Sequence, residues 1–146
     1  MTLYLRTVNE NHQSYGGFQW PREIGAIITA PDWQPTAECG NGLHGLPWGQ
    51  GDMSLLDHSP TAVAQVVRYD GPDAVDLGGK HKFPSCTLIY VGTLSGAAEV
   101  LAREAPAGQA IPCLHVRAGD YGTATAGHHG TAMAGDGGTA TAGARG

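Results

Sequence analysis

Ala118-Gly-Asp-Tyr-Gly-Thr-Ala-Thr125 runs without a break into Ala126-Gly-His-His-Gly-Thr-Ala-Met133 and Ala134-Gly-Asp-Gly-Gly-Thr-Ala-Thr141, with Ala142-Gly-Ala-Arg-Gly146 after them. The period is eight residues and the register never slips. A fixed short period implies stacked, nearly identical turns of backbone. Thr-x-Thr suits a strand, with both threonines on one face and the alanine on the other. Ala-Gly-x-x-Gly supplies corners where φ turns positive. Stacked at about 4.8 Å, such units enclose a thin alanine core and leave threonine hydroxyls in rows outside. The expected end state is a β-solenoid. The competing reading is a disordered tail, because the apolar content is thin.

This array resembles the octapeptide repeats of bacterial ice-nucleation proteins, whose units also run Ala-Gly-x-x-x-Thr-x-Thr. The resemblance covers Ala118 to Gly146. It implies that two octads close one coil, so the stretch holds fewer than two coils. That is too short to order ice, and too short to be stable alone because stacked neighbours supply the burial. Self-association through the octads and a structural array are separate expectations for it.

Working outward, residues 1–117 read as a globular α+β domain, mostly antiparallel strands with one main helix, and 118–146 as the repeat tail. Leu3 to Val8, Gly25 to Ala30 and Ala62 to Tyr69 are expected strands. Cys86-Thr-Leu-Ile-Tyr-Val91 is a continuous apolar run that reads as buried on both faces. Ile111 to Arg117 is a last strand leading into the octads. Ser95 is placed to N-cap a helix over Ala97 to Ala105, with Glu99 and Arg103 at i,i+4 and Pro106 as its stop. Pro31 to Pro60 shows little periodicity. So long a stretch in a compact domain is functional or packed on itself, which makes it the place to seek a site.

Composition agrees with this frame. The 146 residues fit one domain with a tail. With 23 glycines and nine prolines, strands and turns are favoured over long helices. Eight Lys+Arg against 13 Asp+Glu leave a net charge of −5, dispersed along the chain, which argues against a direct nucleic-acid binder. No apolar run approaches the roughly 20 residues of a membrane span. The opening Met-Thr-Leu-Tyr-Leu-Arg lacks a signal-peptide pattern, and three cysteines make no disulfide framework. The expected setting is a reducing cytoplasm.

Chemistry-bearing residues gather at Cys39-Gly-Asn-Gly-Leu-His44, where glycines allow the thiol and imidazole to converge. With Cys113 and His115, these residues compose a Cys2His2 zinc set, although neither pair has the usual spacing. No other cofactor is expected. The competing reading is a buried cysteine and a hydrogen-bonded histidine. A nucleophilic Cys39–His44 pair is the enzymatic version. No hydrolase motif surrounds it, so no catalytic residue is assigned and a non-enzymatic protein is favoured. Asp57-His58-Ser59 reads as a polar turn, since adjacent residues cannot form a triad. Tyr15, Phe18 and Trp20, with Trp33, Trp48 and the loop residues Asn41, Leu43 and His44, are the candidate binding surface. Buried, the aromatics would instead pin loops onto the sheet, and that reading is preferred. Lys80-His-Lys82 reads as a solvated basic hairpin turn.

Two motifs, aromatic-Gly-Phe-x-Trp (Tyr15, Gly17, Phe18, Trp20) and Cys-x-x-Gly-Leu-His (Cys39, Gly42, Leu43, His44), are similar to those of an uncharacterised phage and bacterial domain family. The resemblance implies a small accessory protein of phages or integrated elements, with no catalytic residues to carry across. Together with the acidity, it leads to the expected function: a binding protein that inhibits a host defence complex by covering a basic site. The zinc or thiol protein and the structural β-solenoid protein related to ice-nucleation arrays are the alternatives.

Overall fold

The computed structural model describes residues 1–112 and the short strands 115–117, 123–125, 131–133 and 139–141. They fall into two compact units, Met1–Thr93 and Leu94–Gly146.

Strand β1 (Thr2–Val8) lies inside the sheet of the first unit because its residues suit a pleat covered on both sides. Leu3, Tyr4, Leu5 and Val8 are all buried. The other strands are β2 (Ile27–Thr29), β3 (Leu43–Pro47), β4 (Val63–Tyr69), β5 (Val75–Asp76), β6 (His81–Phe83) and β7 (Ser85–Gly92). They form one seven-stranded antiparallel sheet in the order β2-β7-β4-β1-β3-β6-β5. β1 and β4 pair along their whole length, from Thr2↔Tyr69 to Val8↔Val63. The β4–β7 register shifts between Val66 and Val67, a bulge that adds local twist.

One core cluster joins Tyr4 and Val8 to Ile28, Leu43, Val67, Phe83, Cys86 and Leu88, with Trp20 added from the loop after β1. Phe83 is fully buried between Tyr4 and Tyr69, with ring centroids 4.5 and 5.8 Å away.

Two expectations need correction here. The run Cys86 to Val91 is not covered on both faces: Cys86 and Leu88 are buried, whereas Thr87 and Ile89 are only partly so. Its continuous apolarity reflects strand propensity more than two-sided burial. The stretch Pro31 to Pro60 also contains a strand that was not expected, β3. Gly45 and Pro47 hide it, since both are poor strand formers. Gly45 is needed there because a Cβ would lie 2.7 Å from the Tyr4 Cβ.

In the second unit, α1 spans Leu94–Glu104 and buries Ala97, Ala98, Val100 and Leu101, one helical face. Ser95 therefore lies inside the helix and is not its N-cap. Arg103 in the last turn complements the helix dipole, and Pro106 follows the end. Among the described residues no helix is long and apolar enough to cross a membrane.

The rest of this unit is a ladder of strands: β8 (His115–Arg117), β9 (Thr123–Thr125), β10 (Thr131–Met133) and β11 (Thr139–Thr141). β10 pairs with β8 and β11 with β9, both in parallel. The mostly antiparallel α+β architecture with a single main helix holds for the described chain. Ile111 and Pro112 precede β8 and are not part of it.

Candidate functional site

In the first unit, β1 and β3 are paired at Tyr4↔Pro47 and Leu5↔Leu46. Beyond that point the Arg6 side chain, not a backbone amide, reaches β3: its Nη1 donates to the His44 carbonyl at 2.7 Å. A cleft of about 790 Å³ opens here. Of the residues singled out for binding, Tyr15, Phe18, Trp20, Asn41, Leu43 and His44 line it. Trp33 and Trp48 do not. Trp33 packs against Gly42, where a Cβ would sit 3.0 Å from its ring. Trp48, at φ +53°, donates its backbone N–H to the Leu3 carbonyl in the turn after β3.

Arg6 was not singled out from the sequence, yet it is the central polar group. It sits between Tyr4 and Val8 on a strand and is only 8% exposed. Its Nε donates to Gln65 Oε1 at 3.0 Å, and the guanidinium lies 3.8 Å from the Trp20 ring centroid. Trp20 is held in turn by its Nε1 donating to Ser14 Oγ at 3.1 Å. No carboxylate lies within ion-pair distance of Arg6 among the described residues. Burial lowers its pKa to about 10, so it stays charged at neutral pH.

Lys82 is the second buried cation, and it corrects the reading of Lys80 to Lys82 as a solvated turn. The β5–β6 hairpin forms, but Lys82 is fully buried, with Nζ donating to Thr36 Oγ1 and the Gly40 carbonyl, each at 3.3 Å. The loop ahead of β3 folds over it. The Trp33 ring centroid is 5.7 Å from Nζ, within cation–π range.

His44 sits among these charges. The Gly40 N–H donates to its Nε2 at 3.3 Å, which assigns the ring proton to Nδ1. Burial, then Lys80, Arg6 and Lys82, push its pKa down to about 4, with Asp32 opposing. The thiol–imidazole pair does not form: Cys39 is exposed and Lys80 Nζ donates to its Sγ at 3.1 Å, while His44 turns to Gly40. Of the proposed zinc set, Cys113 lies outside the described residues and His115 is described only as part of β8. Among the described residues no three His, Cys, Asp or Glu side chains gather as a metal site. Cys86 is buried and its thiol is pushed up to about 12 by that burial, with Arg6 opposing, which leaves it unreactive. Asp57 and Ser59 make the expected polar turn, the Ser59 N–H donating to Asp57 Oδ1 at 2.9 Å.

The low His44 pKa gives stability a sign with pH. Between pH 6.5 and 4 the unfolded imidazole binds a proton that the native one refuses, so stability falls as pH falls through that window. A fully shielded ring would contribute about 3 kcal/mol. His44 is partly exposed, so about 1–2 kcal/mol is expected after screening. Urea melts at pH 7 and pH 4.5 measure it, and His44→Gln should flatten the slope. An unchanged slope in that variant would remove His44 as its source.

The second candidate is the ladder of the other unit. Thr139 registers against Thr123 and Thr141 against Thr125, while Thr131 registers against His115 and Met133 against Arg117. Each strand thus pairs with the one two octads away, and β9 lies beside both β8 and β10. The first rung, His115–Arg117, precedes the recognisable repeat.

No family model matches the chain, and no solved structure matches it. Curated relatives do. Over 80% of its length the chain is 31% identical to the ice nucleation protein InaU of Pantoea ananas, and over 82% it is 32% identical to InaA of the same organism. An ice nucleation protein of Pseudomonas fluorescens is 34% identical over 65% of the chain. Because the octads make up only a fifth of the chain, most of the InaU match lies ahead of them. The chain spans about a tenth of the length of these relatives, 11%, 9% and 8% respectively. The matched relatives lend no support to the phage-domain resemblance. They also overturn the cytoplasmic expectation, since ice nucleation proteins are surface proteins of the bacterial outer membrane. Over most of its length, then, the chain is similar to a short portion of bacterial ice nucleation proteins.

Proposed function

We propose that this chain works structurally and without catalysis, as a head domain with threonine-bearing coils of an ice-nucleating array. The observation that carries the reading is the parallel register of β9 and β11, which sets threonine against threonine at both ends of each strand. It occurs in a chain whose relatives are named ice nucleation proteins. Two octads make one coil of a β-solenoid, with β8/β10 and β9/β11 as its two sides. Threonines then repeat at about 4.8 Å from rung to rung and about 6.8 Å along each strand. Hydroxyls fixed on such a grid hold water molecules in set relative positions. The β9/β11 side carries threonine at all four strand-end positions, whereas the β8/β10 side has His115, Arg117 and Met133 at three of its four. The ice-facing side is therefore β9/β11, and His-Val-Arg serves as an end rung whose charge blunts the open edge.

A template must exceed a minimum area before it seeds freezing, so activity grows with the number of coils. Droplet freezing tests this with versions in which residues 118–133 are repeated in tandem. The expected result is a freezing temperature that climbs as coils are added. The climb should be lost when Thr123, Thr125, Thr139, Thr141 and their copies become alanine. Freezing at the buffer temperature for every coil number, or the same climb with alanine, would overturn the reading.

A further inference from the structure

The cleft beside β1 has no part in that reading and stands on observations in the first unit alone. Arg6 is a buried cation with no carboxylate partner among the described residues. Taking a charge out of water without pairing it is costly, and an aliphatic residue between Tyr4 and Val8 would suit the core better. The group is nevertheless held with care. Gln65 fixes Nε, the His44 carbonyl fixes Nη1, and the Trp20 ring covers one face. Nη2 has no hydrogen-bond partner among the described residues. It is also absent from the buried unsatisfied atoms, so it is not sealed from solvent, and Arg6 is one of the residues that line the cleft. A guanidinium locked in plane with one free edge is prepared for an oxyanion.

The surroundings agree. Lys80 lines the same cleft and has no carboxylate partner among the described residues, and Asp32 is the only acidic residue among those lining it. The positive character is local, on a chain whose net charge is −5. Around it the walls are apolar: Phe18 is partly buried, while Tyr15 and Leu55 are exposed. A volume of about 790 Å³ suits a small molecule. We infer that this cleft binds a small organic oxyanion, a carboxylate or a phosphomonoester carried on an aromatic or short aliphatic body. The oxyanion meets Arg6 Nη2 and the Lys80 ammonium, and the body lies against Phe18 and Tyr15.

Calorimetric titration of the full chain tests this with benzoate, phenyl phosphate, inorganic phosphate and uncharged benzyl alcohol, with tryptophan fluorescence followed in parallel because Trp20 covers Arg6. The expected result is saturable binding of benzoate or phenyl phosphate, the tighter one identifying the oxyanion. Inorganic phosphate should bind more weakly than phenyl phosphate, and benzyl alcohol not at all. Lys80→Ala, at a partly exposed position, should weaken binding tenfold or more while the melting temperature, measured alongside, stays unchanged, and Arg6→Gln should abolish binding. The inference is overturned if neither aromatic anion saturates, if benzyl alcohol binds as well as they do, or if Lys80→Ala binds unchanged. Because the octads take no part, failure here leaves the freezing experiment untouched, and failure there leaves this one standing.

Discussion

Trp20→Ala should be among the most damaging single changes in the first unit, lowering the unfolding free energy by about 3–5 kcal/mol. The indole is 1% exposed, belongs to the core cluster, meets Phe18 edge-on at 5.8 Å and covers the Arg6 guanidinium. Its removal leaves a cavity and takes the ring face from a cation that has no carboxylate partner among the described residues. Water entering beside Arg6 recovers part of the loss, so the lower half of that range is favoured. For a unit of this size the melting temperature should drop by on the order of 15–20 °C. Trp20→Phe keeps a ring over Arg6 and should cost less than half as much. Urea unfolding of the two variants checks the ordering. A loss under about 1 kcal/mol for alanine, well below the usual range, would mean that Trp20 does not seal this core.

Phe83→Ala should have a comparable effect, about 3–5 kcal/mol, because its ring lies fully buried between Tyr4 and Tyr69. The neighbouring position behaves differently. Lys82 is equally buried, but its ammonium gives up hydration for two bonds of 3.3 Å to Thr36 and Gly40 and, among the described residues, no carboxylate. Lys82→Met keeps the stem's bulk and removes that desolvation cost. Global stability should therefore change by less than about 1 kcal/mol in either direction. The loss should be local, since Thr36 and Gly40 no longer share a donor and the loop ahead of β3 loosens. Hydrogen exchange should rise in 34–42 and stay unchanged in β1 and β4. Equal global losses at 82 and 83 would contradict this division.

The parts of the fold that were legible are those where local preference and tertiary role agree. Leu3 to Val8 and Ala62 to Tyr69 are rich in β-branched and apolar residues, and they became β1 and β4. β3 was not legible, because Gly45 and Pro47 are dictated by the close approach of Tyr4 and by the strand end. Such reasons belong to a partner strand and leave no periodic trace. At the cleft, the aromatics and the glycine-rich Cys39 to His44 segment drew attention by type. Arg6 did not, because one arginine inside an apolar strand looks like an edge residue until its neighbours are known. The one available signal was its position between Tyr4 and Val8, where alternation puts a charge on the core face. His115–Arg117 was expected as the end of a strand but not as a rung of the ladder, because it shares the backbone register of the octads and not their Thr-x-Thr pattern.

In the proposed array the octads stack two to a coil. Backbone NMR of the full chain tests it most directly, by mapping which strands lie side by side and how slowly their amides exchange. Contacts are expected between Ala140 and Ala124 and between Ala132 and Val116, a separation of sixteen residues, with slowed exchange along both pairs. Strand pairing in a register of eight in place of sixteen, or freely exchanging amides throughout 123–141, would contradict it.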